Sequence, residues 1–150
     1  MADDQIVALL GAVDLFTGLP PKVMRRIADY GEVVEHEPGA PVVQAGEQVS
    51  GFRVFSPKGV EMHVVLAGSA EVDLHGTRVA SLGPRAYFGE LSLIDGKPRS
   101  ADVSAGPDGL RTFAMPKWGF DELLRDHPEV ALPMLRALCA KLRRAEAAGH

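Results

Sequence analysis

Residues 88–101 of the chain read Phe88-Gly89-Glu90-Leu91-Ser92-Leu93-Ile94-Asp95-Gly96-Lys97-Pro98-Arg99-Ser100-Ala101. Their types and spacing suit an anion held beside a hydroxyl. Gly89 has no Cβ, so a ligand can come close to the backbone there. One helical turn over residues 89–94 would leave its leading N–H groups without intrahelical partners, at the positive end of the helix dipole. Glu90 is an odd neighbour for an anion unless its carboxylate accepts a hydrogen bond from a hydroxyl next to that anion. Asp95-Gly96 is a turn signal, and Pro98 fixes its own φ and steers Lys97 toward extended geometry. The chain is therefore predicted to reverse and return Arg99 to the side of Gly89. There its guanidinium offers a planar fork of donors suited to a phosphate. Ser100 adds a hydroxyl that reaches a phosphate oxygen or the edge of a base.

Taken singly, each residue has an ordinary explanation. Glu90 is a helix N-terminal charge, Arg99 a solvated loop residue, Gly89 a turn. The combination at this spacing has no such structural explanation. It resembles, nearly residue for residue, the phosphate-binding cassette of the cyclic nucleotide-binding domain family. The resemblance extends from about residue 9 to 146. Leu15-Phe16-Thr17-Gly18-Leu19 is similar to that family's entry into its N-terminal helices. Glu37-Pro38-Gly39-Ala40 and Gln44-Ala45-Gly46-Glu47 are similar to its early hairpin, and residues 64–72 to its central strand pair. Residues 109–144 are similar to its last strand and closing helices.

The resemblance implies a fold and a set of roles. The fold is mainly β with flanking helices: a small antiparallel barrel or jelly roll, a double-stranded β-helix, between N-terminal helices and two C-terminal helices. The ligand is a cyclic nucleotide. Backbone N–H groups around Gly89, Glu90, Leu91 and Ser92 would hold the cyclic phosphate with Arg99. Glu90 would accept the ribose 2′-OH, and Ser100 would bond a phosphate oxygen or the base. Val79 and Leu82 would line the purine side. Serine at position 100 resembles bacterial cAMP receptors, whereas threonine marks cGMP preference, so cAMP is expected, with cGMP second. The last helix would swing over the nucleotide, with some of Leu135, Leu138, Cys139 and Leu142 shielding the purine, and would pair with its counterpart in a homodimer.

Size and pattern fit that frame. The 150 residues suit one domain with a proper core, and 46% hydrophobic and 24% charged residues are ordinary for a globular protein. The net charge of −4 supplies no attraction to nucleic acid. Lys141, Arg143 and Arg144 suit the negative end of a helix. Cys139, the only cysteine, excludes an intrachain disulfide and reads as a small core residue. The acidic Met1-Ala2-Asp3-Asp4-Gln5 lacks a signal-peptide pattern, and no apolar run is long enough for a membrane span, so a cytoplasmic protein is expected.

Along the single domain, residues 1–30 are predicted to be helical. Asp3 or Asp4 caps a helix carrying Ile6, Leu9, Leu10 and Val13, and Pro21 opens a second with Val23, Ile27 and Ala28 inward. Residues 31–115 read as the barrel. Short β-branched runs (Val33-Val34, Val42-Val43, Met62–Leu66, Ala70–Leu74, Arg78–Leu82, Ala101–Val103, Leu110–Ala114) alternate with turn residues, including a tight hairpin at His75-Gly76. Residues 116–147 return to helix, with Trp118 and Phe120 as packing anchors and Leu123 and Leu124 inward. A stripe of Ala131, Met134, Leu135, Leu138, Cys139 and Leu142 follows. Pro133 means that this helix starts near residue 132 or that its first turn is kinked. Residues 51–60 are extra relative to the family pattern. They suggest an added hairpin whose Phe52 and Phe55 either cover the core or form a contact surface.

Two other classes fit the sequence less well. A scaffold domain of the same fold that binds no nucleotide is disfavoured by the intact Gly89, Glu90 and Arg99. A metal enzyme on a similar barrel needs grouped histidines, and only His63 with Glu61 or Glu71 is available, with no H-x-H pair. No catalytic constellation, metal site or cofactor is therefore expected. The chain ends at His150 without a helix-turn-helix. The expectation is a free-standing sensor or a fragment, not binding DNA directly and passing its signal to an unknown effector.

Overall fold

A computed structural model of the chain describes residues 4–46 and 61–148. Glu47, the 51–60 insertion, Asp3 and His150 lie outside them. Two helices come first, α1 (Asp4–Gly11) and α2 (Pro21–Asp29), with a 3-10 turn at Asp14–Phe16 between them. Pro21 is the first helical residue of α2, where its missing N–H interrupts no helical bond. The strands are β1 (Glu32–His36), β2 (Pro41–Val43), β3 (Glu61–Leu74), β4 (Thr77–Leu82), β5 (Tyr87–Phe88) and β6 (Asp102–Pro116). The helix α3 (Glu90–Asp95) interrupts them, and α4 (Lys117–Asp126) and α5 (Ala131–Ala148) follow.

All pairings are antiparallel, in the order β1-β6-β3-β4, with β2 also on β6 and β5 on β3. Two pairs of runs expected as separate strands each join into one long strand. Met62–Leu66 and Ala70–Leu74 are the two halves of β3, and Asp102, Val103 and Leu110–Ala114 lie along β6, with Ala101 just before it. Register shifts at Val65/Ala67 and Gly68/Ala70 let one strand continue while its inward face changes. At His75-Gly76 both residues take positive φ, 52° and 81°, which suits a two-residue hairpin between β3 and β4.

The alternation of side chains separates two cores. Met62, Val64, Tyr87, Phe113 and Met115 face the helices and pack with Leu10, Val13, Phe16, Ile27 and Leu123. Val43, Val65, Ala70, Phe88, Val103, Ala105 and Leu110 fill the barrel. The dipeptide of β5 is split between them: Tyr87 packs under the helices and Phe88 inside the barrel.

The C-terminal helices depart from expectation at two residues, and they meet the expectation of a helix start near residue 132. Trp118 is 55% exposed and touches Tyr30 edge-on, 6.0 Å between ring centroids, whereas Phe120 is buried as expected. Cys139 is exposed, because only Met134, Ala137 and Leu138 of α5 pack on the helical core. The helix α5 starts at Ala131, so Pro133 sits in its first turn, where N–H groups have no intrahelical acceptor.

Candidate functional site

A cavity of about 510 Å³ opens between the barrel, residues 88–101 and α5. Its apolar wall comes from Val43, Val72, Ala80, Leu82, Phe88 and Val103, and Leu138, Leu142 and Ala145 of α5 close one side. Gly89, Glu90, Leu91, Ser92, Arg99 and Ser100 line the rest, with Ala101 and Lys141. Of the eight residues singled out in the sequence, seven, the first six of these and Leu82, therefore meet around one cavity.

Val79 does not. It is 56% exposed and absent from the lining. Val72 pairs with Ala80 and Asp73 with Arg78, so Val79 is the extra residue of a bulge. Ala80 and Leu82, two apart, share the inward face, and Val72 opposite Ala80 joins them. A one-residue bulge leaves no mark in composition, so Val72 and Ala80 were not legible as lining residues.

The cassette is built by local chemistry. Gly89 caps α3 with φ +84°, a left-handed conformation that L side chains rarely adopt. A Cβ there would sit 3.0 Å from Arg99 Nη1 and 3.0 Å from the Glu61 carbonyl oxygen. Because glycine has no side chain, nothing from the capping residue covers the leading N–H groups of α3. Gly96, at φ +71°, ends the helix, and the Lys97 N–H donates to Asp95 Oδ1 at 2.9 Å. The chain then reverses, and Arg99 returns to Gly89. Its Nη1 donates to the Gly89 carbonyl at 2.8 Å and its Nη2 to the Glu61 carbonyl.

Arg99 is only 8% exposed and Glu90 4%. A buried guanidinium and a buried carboxylate beside an apolar wall have the chemistry to suit a ligand with an anionic end, a hydroxyl and an apolar body. Glu90 is paired across the cavity. Its Oε2 accepts from Lys141 Nζ of α5 at 2.9 Å. That Nζ also donates to the Tyr87 carbonyl at 3.2 Å and lies 4.2 Å from the Tyr87 ring centroid. Lys141 is thus more than a charge suited to a helix end. Fifty-one positions separate it from Glu90, and no local signal in the sequence points to the contact.

Three polar residues meet across β1, β3 and β6: His36, His63 and Thr112. His63 Nδ1 is 3.0 Å from Thr112 Oγ1, and His36 Nε2 is 3.1 Å from the same oxygen. One hydroxyl can donate to one ring and accept from the other. The His63 ring stacks on Phe88, with centroids 5.0 Å apart. Burial pushes the His63 imidazole down to about 3, helped by the charges of His36 and Arg99. Burial also pushes the Tyr87 phenol up to about 12, reinforced by the Glu90 charge. Among the described residues no three His, Cys, Asp or Glu side chains converge on a metal position. His63 is occupied with Thr112 and Phe88.

The chain was compared with known proteins. The family model described as "Cyclic nucleotide-binding domain" matches residues 33–127. A "CRP-like cAMP-activated global transcriptional regulator" of Mycobacterium tuberculosis is 25% identical over 146 residues, covering 94% of this chain and 59% of that protein. A "cAMP-dependent protein kinase regulatory subunit" of Aspergillus niger is 29% identical over 119 residues, covering 78% of this chain and 26% of that one. The chain thus spans less than two thirds of the length of these relatives. Among solved structures, the Thermus thermophilus catabolite activator protein superposes with a TM-score of 0.72 at 27% identity, over 90% of this chain and 61% of that one.

Proposed function

The chain belongs to the cyclic nucleotide-binding domain family, and on that premise we propose that it is a non-catalytic regulatory module that binds cyclic AMP in the cavity beside α5. The observation that carries this reading is the pair of buried charged groups, Arg99 and Glu90, set beside an apolar wall in that cavity.

Arg99 and the leading N–H groups of α3, with Gly89 allowing close approach, hold the cyclic phosphate. Glu90 accepts the ribose 2′-OH. Ser100 bonds a phosphate oxygen or the base. Val72, Ala80 and Leu82 cover one face of the purine, and Leu138 and Leu142 the other. Serine at position 100 favours adenine over guanine. The helix α5 lies along the cavity and carries the signal, because any change at the ligand reaches it through Leu138, Lys141 and Leu142. Its exposed Leu132 and Leu135 offer a surface for a second copy or for an effector. No helix among the described residues is long and apolar enough to cross a membrane, and we place the module in the cytoplasm.

Calorimetric titration of the protein with cAMP and cGMP tests the reading, with sedimentation run alongside. Saturable binding with cAMP tighter than cGMP is expected. Binding of neither nucleotide would replace it with a scaffold domain of the same fold.

A further inference from the structure

The Glu90 carboxylate has two oxygens, and the described residues use one. Oε2 takes the Lys141 ammonium, while Oε1 accepts no hydrogen bond among the described residues. An ionised carboxylate accepts on both oxygens. A ligand hydroxyl can therefore reach Glu90 without displacing the lysine.

Lys141 is also the last anchor of α5. It is partly buried, whereas every residue from Leu142 to Ala148 is exposed. Its ammonium is held by three features of one short segment: the Tyr87 carbonyl, the Tyr87 ring and the Glu90 carboxylate. That segment contains Gly89. The lysine thus fastens the closing helix to the two residues that flank the cassette's entry.

A carboxylate as buried as that of Glu90 is costly to leave without a partner cation. Losing the lysine would let the carboxylate turn toward solvent, and that spoils it as an acceptor for a fixed hydroxyl. We propose that Lys141 is a positioning residue for ligand recognition. It holds the Glu90 carboxylate oriented so that Oε1 meets the ligand hydroxyl, and it holds α5 against the cavity before ligand arrives. The ligand and α5 then share one carboxylate, so whatever the docked lysine adds to ligand binding, bound ligand adds to the docking of α5, as linkage requires. This rests on the reading that the cavity takes a cyclic nucleotide with its 2′-OH at Glu90.

The test is a set of dissociation constants for cAMP and 2′-deoxy-cAMP with the wild type, Lys141→Ala and Lys141→Arg. Removing the hydroxyl is expected to weaken binding to the wild type roughly ten- to hundredfold, as for a hydrogen bond to a charged group. Lys141→Ala should weaken cAMP binding about five- to fiftyfold, within the usual range of coupling between two sites. The variant should also discriminate poorly, with the two nucleotides within about threefold. Lys141→Arg should restore most of the discrimination. In ligand-free protein, amide hydrogen exchange of residues 139–148 should quicken in Lys141→Ala while that of β3 and β6 stays unchanged.

Equal weakening of both nucleotides would reduce Lys141 to a structural anchor and overturn the proposal. Unchanged or tighter cAMP binding by Lys141→Ala would overturn it as well, since the lysine would then be idle or a competitor. If the wild type binds neither cAMP nor cGMP, the reading of the cavity fails and takes the proposal with it. A wild type that binds normally but shows no coupling sinks the Lys141 assignment alone.

Discussion

Replacing Arg99 is expected to damage ligand binding and the fold by separable amounts. The residue is 8% exposed, and its guanidinium donates to the carbonyls of Gly89 and Glu61. With alanine in its place, a bound phosphate loses its only proposed side-chain cation. Truncating one partner of a buried, hydrogen-bonded charge pair costs about 2–5 kcal/mol, or roughly 30- to 3,000-fold in affinity. The two carbonyls also lose a donor. Each buried acceptor left unpaired costs about 1–3 kcal/mol, and the low end applies here because Gly89 borders the open cavity. Arg99→Lys separates charge from shape. An ammonium keeps the charge but has three donors in place of a five-donor fork, so it cannot serve both carbonyls and a phosphate in one plane. Loss of one charged hydrogen bond predicts roughly ten- to hundredfold weaker binding for this variant. Calorimetry with cAMP on wild type, Arg99→Lys and Arg99→Ala measures the affinities, and thermal unfolding without ligand measures the structural share. The expected order of affinity is wild type, then lysine, then alanine, with a modest drop in Tm for both variants. A folded Arg99→Ala that binds within threefold of wild type would refute the phosphate contact. If the alanine protein fails to fold, the lysine variant carries the test alone.

Two further perturbations probe the same region. Gly89→Ala must place a Cβ at φ +84°, 3.0 Å from both the Glu61 carbonyl and Arg99 Nη1. Backbone strain of about 1–3 kcal/mol predicts a Tm lower by roughly 3–10 °C, with weaker cAMP binding as Arg99 is pushed aside. An unchanged Tm would show that the turn tolerates a side chain. The His63 imidazole is held at about 3 against 6.5 when unfolded. Because the folded value is the lower one, the unfolded chain binds the proton first. The stabilisation is complete above about pH 6.5 and is lost as pH falls toward 3. At pH 5 this amounts to about 2 kcal/mol less stability than at pH 7, from 1.36 kcal/mol per unit. Denaturant unfolding of wild type and His63→Gln across pH 4–8 should show a shallower acid loss in the variant, and parallel curves would rule His63 out as the source.

How much of the site was readable depends on how local its parts are. The loop from Gly89 to Arg99 is encoded within itself. A glycine that must take positive φ, an Asp-Gly stop and a proline before the arginine leave few other paths for the chain. The same holds for the hairpin at His75-Gly76 and for Pro21 at the start of α2. Long-range pairing was less legible. The strand halves of β3 and β6 read as separate runs, because glycines and bulges that interrupt a pattern do not interrupt a ladder.

The sequence alone determined the cassette, the alternation that makes a small antiparallel barrel and the helices on either side, because each rests on short-range preferences of backbone and side chain. Tertiary structure decided what those preferences leave free. It put Val79 in a bulge and gave its place to Val72 and Ala80, since register is set by partners. It left Cys139 and Trp118 exposed, because a helical stripe does not say how much of it a domain will cover. It also brought Lys141 to Glu90, joining the closing helix to the cassette by one ion pair. That meeting depends on how α5 docks after the barrel has closed, and no spacing along the chain encodes it.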